Sequence, residues 1–89
     1  MIKEMEIIDY NNNDGLQLIW DKNFEISVTV NGKEVEIKAN NSGLLSLARH
    51  LITLAQNNVP DGSHFHLDEY NSLETGSSDL IISKISNMK

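Results

Sequence analysis

An alternation of apolar and polar side chains at residues 24–30 constrains the fold more than any other feature of this sequence. Side chains two positions apart in a strand lie on the same face, so the pattern predicts a strand with one apolar and one polar face. The apolar face carries Phe24, Ile26, Val28 and Val30. An antiparallel partner with the same alternation is therefore expected close by in the chain.

The turn to that partner is predicted at Asn31-Gly32, directly after the strand. Asparagine followed by glycine favours a two-residue type I′ turn, because both of its positions require positive φ. A turn centred there places Val28 opposite Val35, so that apolar side chains meet across the pair. Residues 24–38 are therefore predicted to form a β-hairpin.

Four further segments have the composition of strands. Residues 5–10 and 15–20 are separated by a turn rich in asparagine and glycine, which predicts a hairpin at the start of the chain. Residues 63–68 alternate, and residues 80–85 are rich in β-branched side chains. With the hairpin at 24–38, the N-terminal strands fall within residues 5–38 and the C-terminal strands within 63–86. We expect an antiparallel β-sheet of about five to six strands.

One long amphipathic helix is predicted between these two sets of strands, over residues 43–57. Ser42 is a suitable N-cap, and Pro60 ends the segment because proline cannot continue a helix. Apolar side chains recur at helical spacing, and polar ones fall on the other side. The apolar positions are Leu44, Leu47, Ala48, Leu51, Leu54 and Ala55. We expect an α+β fold in a single domain, residues 1–89, with the apolar face of the helix packed on one face of the sheet.

Charge and composition exclude several classes of function. Thirteen acidic residues against seven basic ones give a formal net charge of −6, which repels a nucleic-acid backbone. The chain has no cysteine, and no stretch approaches the roughly 20 apolar residues of a membrane span. We expect a cytoplasmic protein that binds neither nucleic acid nor membranes. Its acidity either steers it toward a basic protein partner or serves solubility alone.

The most unusual local feature is the run His64-Phe65-His66-Leu67-Asp68. Strand alternation places the two histidines and the aspartate on one face and the apolar pair on the other. Histidines two apart on a strand lie close enough to share a metal ion, which makes His64 and His66 candidate ligands. His64 and Asp68 lie roughly 13 Å apart on an extended strand, so they do not join in one site. His-x-His alone is a weak motif, and surface or partner-contacting histidines are the alternative.

No catalytic constellation emerges from the sequence. Serine, histidine and aspartate are present, but no nucleophile elbow or other positioning motif accompanies them. Asp68 and Glu69 are adjacent in the chain and point to opposite sides of a strand, which argues against a concerted acid–base pair. The glycines compose no phosphate-binding loop. These residues therefore indicate no catalytic site and no cofactor.

Residues 62–71 (GSHFHLDEYN), followed by Leu-Glu at 73–74, Gly-Ser at 76–77 and the strand 80–85, resemble the immunity protein 32 family of bacterial polymorphic toxin systems. The resemblance implies an antidote that binds and neutralises a cognate toxin by stoichiometric protein–protein inhibition. Carried over to this chain, the motif makes five residues candidates for toxin contact or for structure specific to the motif. They are His64, His66, Asp68, Glu69 and Tyr70.

Two other functions remain open from the sequence. The first is a small metal-binding domain that uses His64 and His66. The second is a homo-oligomeric structural module, such as a homodimer, in which sheet edges or polar sheet faces pair between copies. Strong zinc binding would indicate the first, and a molecular mass that depends on concentration without any toxin would indicate the second.

Overall fold

The computed structural model describes residues 4–86, which contain one α-helix and four β-strands. The elements are β1 (Ile26–Asn31), β2 (Glu34–Ala39), α1 (Asn41–Leu54), β3 (His64–Leu67) and β4 (Leu80–Ser83). β1 pairs with β2 and β3 pairs with β4, each as a separate two-stranded antiparallel sheet. The predicted α+β class is confirmed. The predicted count of five to six strands is wrong, since the described residues form four strands in two sheets.

The hairpin of β1 and β2 is present, but its register differs from the prediction by two residues. Asn31 pairs with Glu34, so the turn residues are Gly32 and Lys33, and Val28 faces Ile37. Gly32 has a φ of 63°. In the observed turn only the glycine has positive φ, which glycine adopts without strain. The predicted type I′ turn would have required positive φ at Asn31 as well. A shift of two keeps every side chain on its predicted face.

The two strands predicted near the start of the chain, 5–10 and 15–20, are not formed. Between residues 4 and 25 the structure shows a single isolated bridge, between Asn11 and Gly15. The backbone of this segment is hydrogen-bonded to side chains of α1 and the residues just after it. Gln56 accepts from the Tyr10 N–H at 3.0 Å and donates to the Ile8 carbonyl at 3.1 Å. Side-chain amides thus satisfy backbone groups that a neighbouring strand would otherwise pair.

Helix α1 begins at Asn41 and ends at Leu54, with Asn40 as its N-cap. The prediction of Ser42 as N-cap, with a helix over 43–57, is therefore wrong at both ends. The Asn40 side-chain oxygen accepts from the N–H groups of Gly43 (2.8 Å) and Glu25 (3.0 Å). Asn40 therefore caps the helix and also holds the start of β1, a double role for which Ser42 is placed too late in the chain.

The helix buries three polar positions that the sequence pattern assigned to solvent. Ser46, His50 and Thr53 are buried, whereas Leu44 and Leu51 are exposed. The hydroxyls of Ser46 and Thr53 and one ring nitrogen of His50 are hydrogen-bonded, as is usual for buried polar groups. Ser46 Oγ accepts from the Asp21 N–H at 2.7 Å, and the Thr53 hydroxyl donates to the Arg49 carbonyl at 2.8 Å. The predicted inward packing of the apolar face is therefore correct for Leu47 and Leu54, which pack in the core, and wrong for Leu44 and Leu51, because residues 4–22 lie against the polar face.

The apolar core draws on both sheets, the end of the helix and the loops. Its buried side chains are Ile26, Val28, Leu54, Val59, Phe65, Leu67 and Leu73. The first hairpin meets the helix at Gly43, where an added Cβ would lie 2.9 Å from Ile26 Cγ1 and would also collide with the Glu25 carbonyl oxygen. Glycine at this position therefore permits the close approach of α1 to β1.

The connection between β3 and β4 lies along the free edge of β1. The Glu74 N–H donates to the Ile26 carbonyl and the Ser78 N–H to the Val28 carbonyl, both at 2.8 Å. β1 therefore lies between β2 on one side and residues 74–78 on the other. These bonds join the β3–β4 unit to the first hairpin. Among residues 4–86, no helix is long and apolar enough to cross a membrane.

Candidate functional site

Strand β3 presents its histidines to solvent. Phe65 and Leu67 are buried in the core, and His64 and His66 are exposed on the opposite side. The antiparallel register places Ile81 of β4 opposite His66, and Ile81 is likewise exposed. The structure thus has the alternation that the sequence predicted for this strand. It leaves a two-stranded surface of mixed polar and apolar character.

A hydrogen-bonded side-chain pair links the two strands at the edge of this surface. His66 Nε2 lies 2.9 Å from Asp79 Oδ2, and both side chains are about half exposed. Asp79 directly precedes β4 and was not among the candidates drawn from the sequence. It sits one step beyond the last ladder pair, Leu67 with Leu80, and so lies opposite Asp68. The register of β3 against β4 was the information needed to find it, because His66 and Asp79 are 13 residues apart in the chain.

The loop after β3 is held by hydrogen bonds of its own. Asp68 Oδ1 accepts from the Tyr70 N–H at 2.9 Å, and Asn71 Oδ1 accepts from the Asp68 N–H at 3.0 Å. The Asp68 carbonyl accepts from the N–H of the buried Leu73, also at 2.9 Å. These bonds fix the backbone around Tyr70, whose side chain is 92% exposed. A large side chain thus projects from an ordered loop with almost none of its surface covered.

Glu69 has a bracing position within the same connection. Its Oε1 accepts from the Gly76 N–H at 3.2 Å and thereby spans the loop. Gly76 has a φ of 89°, a conformation that side-chain-bearing residues rarely adopt. Of the five candidates, His64, His66 and Tyr70 are therefore surface groups, whereas Asp68 and Glu69 also hold the loop together. We call the exposed residues His64, His66, Tyr70, Asp79 and Ile81 the β3–β4 surface.

One cluster of metal-ligating atoms lies at this surface. Single ligand atoms of His66, Asp68 and Asp79 all lie within 4.8 Å of one another. The candidate pair from the sequence was His64 with His66. The cluster contains only the second of these, because Asp79 approaches His66 from β4. One imidazole and two carboxylates are a donor set that suits a divalent cation. The His66–Asp79 contact and the Asp68–Tyr70 hydrogen bond already engage these groups within the chain.

Beneath this surface lies His50, a residue that the sequence pattern placed on the polar side of the helix. It is fully buried, and its Nε2 lies 3.0 Å from the Ile19 carbonyl oxygen. Its ring packs edge-on against Trp20 (4.3 Å between centroids) and Phe65 (5.9 Å). Burial lowers the pKa of His50 below 6.5, against the opposing effect of the Ile19 carbonyl. His50 is thus a neutral core group that connects α1 to β3.

The comparison with protein families assigns the chain to a class. The model of the immunity protein 32 family matches residues 34–85, which is more than half of the 89-residue chain. The match runs from the start of β2 through the β3–β4 surface to just beyond β4. This chain belongs to the immunity protein 32 family. No curated protein and no solved structure matches it.

Proposed function

We propose that this chain is an immunity protein that binds a cognate bacterial toxin domain in the cytoplasm and blocks it by occupancy, without catalysis. Family membership supports the class of function. The toxin interface is the β3–β4 surface. The observation that carries this placement is Tyr70, an almost fully exposed aromatic side chain on a loop with a fixed backbone.

An exposed tyrosine on a fixed loop is well suited to bind a protein. Tyrosine is enriched among the residues that dominate binding energy, because its ring buries a large area and its hydroxyl forms a hydrogen bond. A loop already held by Asp68 and Asn71 loses little conformational entropy when a partner docks on it. The exposed Ile81 adds apolar area on the same surface. The geometry thus supplies an anchor and a polar surround.

Charge indicates what kind of toxin surface fits. The chain carries a net charge of −6, and Asp68, Glu69 and Asp79 contribute carboxylates in or beside the proposed interface. A basic patch on the toxin would be attracted to this surface and would associate faster at low salt. Toxins that act on nucleic acid carry such basic patches, since they must bind phosphate. The proposed partner is therefore a toxin domain with a basic active-site cleft.

The first test co-expresses this chain with a toxin domain encoded by a gene that neighbours its own. Co-expression with the wild-type chain is expected to restore growth and to yield a complex that co-purifies. Tyr70→Ala is expected to weaken binding by about 2 kcal/mol, as measured by titration calorimetry, with unchanged thermal unfolding because the side chain makes little contact within the monomer.

The matched control is Leu51→Ala, which truncates an exposed apolar side chain on α1. It is expected to bind like the wild type. Equal weakening by both variants, or none by Tyr70→Ala, would contradict the placement of the interface. If no neighbouring toxin is rescued by this chain or forms a complex with it, that result would contradict the proposed function itself.

Metal binding is the second candidate function, and the cluster of His66, Asp68 and Asp79 is the observation that favours it. Zinc titrated into the purified chain would bind with a stoichiometry of one, and Asp79→Asn would abolish the binding. His64→Ala would leave it intact, since His64 is not in the cluster. If neither titration calorimetry nor equilibrium dialysis detects zinc binding at millimolar zinc, that result would exclude a metal-binding function.

A further inference from the structure

Within the described part of the chain, residues 4–86, strand β2 has one free edge. Its inner edge pairs with β1 through a six-residue ladder, and β1 in turn receives residues 74–78 on its other side. Among residues 4–86, no backbone hydrogen bond joins Val35 or Ile37 of β2 to any other segment. Unpaired strand edges of this kind are templates for a further strand.

The bonds on β1 reveal which residues of β2 face outward. Val28 points its backbone toward residues 77–78, because its carbonyl accepts from Ser78 and its N–H donates to Ser77 Oγ. Its cross-strand partner Ile37 must then point its own N–H and carbonyl away from β1, as partners in a non-hydrogen-bonded pair do. By alternation, Val35 and Ala39 point outward as well. Three successive odd-numbered residues thus offer unpaired backbone groups at this edge.

Apolar side chains occupy every second position of β2, and two of them are exposed to solvent. Val35 is 62% exposed and Ile37 37% exposed. Exposed edges in monomeric proteins are usually protected by bulges, prolines, short strands or charged side chains. β2 is a regular strand of six residues, and charged side chains are the one such feature in its sequence. Its charged residues, Glu34, Glu36 and Lys38, lie on the opposite face and carry both signs.

We propose that a second copy of this chain pairs antiparallel with β2 along this edge, so that the two hairpins form one four-stranded sheet. We infer a second copy as the partner because β2 carries both an acidic and a basic residue, Glu36 and Lys38, that can pair with their counterparts on another β2 strand. With Ile37 opposite Ile37 of the other copy, Glu36 lies opposite Lys38 twice, and Val35 lies opposite Ala39. This register also pairs outward-facing backbone groups with each other, as an antiparallel ladder requires.

Neighbouring registers are disfavoured by the same charges. A shift of two residues toward the turn places Glu36 opposite Glu36, a repulsion that offsets one of the two Glu34–Lys38 pairs which this register forms. A further shift places Glu34 opposite Glu36 twice and leaves Lys38 without an acidic partner. A shift of two the other way places Lys38 opposite Lys38. Like charges directly opposite destabilise a strand pair, whereas opposite charges stabilise it. The sequence of β2 therefore selects one symmetric pairing.

The proposed dimer contact contains no residue of the β3–β4 surface. The contact is one strand wide and so falls at the small end of protein interfaces, where association is reversible. It does not depend on the toxin-binding function, and its test needs only this chain. Sedimentation is measured near physiological ionic strength, where the net charges of −6 are screened beyond about 8 Å.

Analytical ultracentrifugation from micromolar to millimolar chain tests the dimer. The wild type is expected to pass from 10.0 kDa toward twice that mass. Ile37→Pro removes an N–H that the monomer does not use, and is expected to weaken the dimer by about thirtyfold, since two intermolecular hydrogen bonds are lost. Leu51→Ala, which truncates a similarly exposed residue on α1, is expected to dimerise like the wild type. A wild type that stays at 10.0 kDa at millimolar concentration overturns the proposal.

Charge reversal tests the register, and it also covers the case in which Ile37→Pro fails to fold. Glu36→Lys alone places lysine opposite Lys38, and Lys38→Glu alone places glutamate opposite Glu36, so each is expected to be monomeric. Mixing the two variants restores both opposite-charge pairs, and they are expected to form a heterodimer. Dimerisation of each variant alone, or no association in the mixture, overturns the proposed pairing.

Discussion

His50 occupies a helix position at which a protein core would ordinarily contain an apolar side chain. It fills the space between Trp20 and Phe65 and also contacts the backbone carbonyl of Ile19. Its buried Nδ1 has no hydrogen-bond partner among residues 4–86. The backbone of residues 4–22 lacks strand partners, and the buried ring donates a hydrogen bond to one of its carbonyl groups. This hydrogen bond accounts for a polar side chain at a core position.

The burial of His50 predicts that stability depends on pH. Its folded pKa lies below 6.5, so the unfolded chain binds a proton more readily than the folded one. The contribution of neutral His50 to the free energy of unfolding is fully present above pH 6.5 and is lost as the pH falls from 6.5 toward the folded pKa. Urea unfolding of the wild type is therefore expected to show a decreasing free energy of unfolding between pH 7.5 and 5.5.

The matched variants for this prediction are His50→Gln and His64→Gln. His50→Gln keeps an N–H donor for the Ile19 carbonyl and removes the titrating ring, so its free energy of unfolding is expected to fall less over the same pH interval. His64→Gln changes an exposed histidine and is expected to retain the wild-type dependence. The same loss of stability in His50→Gln would show that another group is responsible.

The candidate site shows the limit of local sequence patterns at this scale. Period-two alternation was sufficient to place His64 and His66 outside and Phe65 and Leu67 inside. It was not sufficient to find Asp79, because the partner of His66 depends on how β3 pairs with a strand 13 residues further along. Side-chain direction is encoded locally, whereas the composition of a site built from two strands depends on register.

At the scale of elements, α1 shows how a helix pattern can wrongly assign polar positions to solvent. Its leucines have helical spacing, but the sequence does not reveal that residues 4–22 would lie against the opposite side. Those residues alternate like strands, and they gain hydrogen bonds from Ser46, His50 and Gln56 instead of from a sheet. Hydrogen bonds between polar side chains and backbone are poorly encoded in hydrophobic periodicity, and this explains both the missing strands and the burial of polar positions on the helix.

The hairpin was predictable because two independent signals agree there. Alternation set the faces of β1 and β2, and a glycine marked the turn. The difference in register arose from which neighbour of Gly32 joined it in the turn, a choice that local propensity decides weakly. Each side chain still lies on its predicted face of the hairpin, because the register differs by an even number of residues.

The N-cap of α1 supplies a prediction at this scale. Asn40→Ala removes the acceptor for Gly43 and Glu25 and also the donor to the Asn23 carbonyl. The free energy of unfolding is expected to decrease by about 2 kcal/mol, at the upper end for a cap because β1 also loses its hold. Ser42→Ala, which alters the cap predicted from sequence, is expected to change it by less than about 0.5 kcal/mol. Equal effects in denaturant melts would contradict the assignment of Asn40.

At the scale of the whole molecule, the chain separates two exposed surfaces on two small sheets. The β3–β4 surface carries Tyr70 and the His66–Asp79 pair, and the outer edge of β2 carries Val35 and Ile37. Residues 74–78 tie the two sheets together through their bonds to β1. The family match spans both surfaces, from residue 34 to residue 85. Under our proposals, one surface binds the toxin and the other binds a second copy of the chain.

The most direct test of the central claim is a titration of toxin activity against this chain at a toxin concentration well above the dissociation constant. Inhibition by occupancy predicts a linear loss of activity that ends sharply at one chain per toxin. Tyr70→Ala should shift the curve toward gradual, incomplete inhibition. Inactivation by much less than one chain per toxin would indicate catalysis, and undiminished activity in excess chain would mean that this toxin is not blocked by binding; either result would contradict the account.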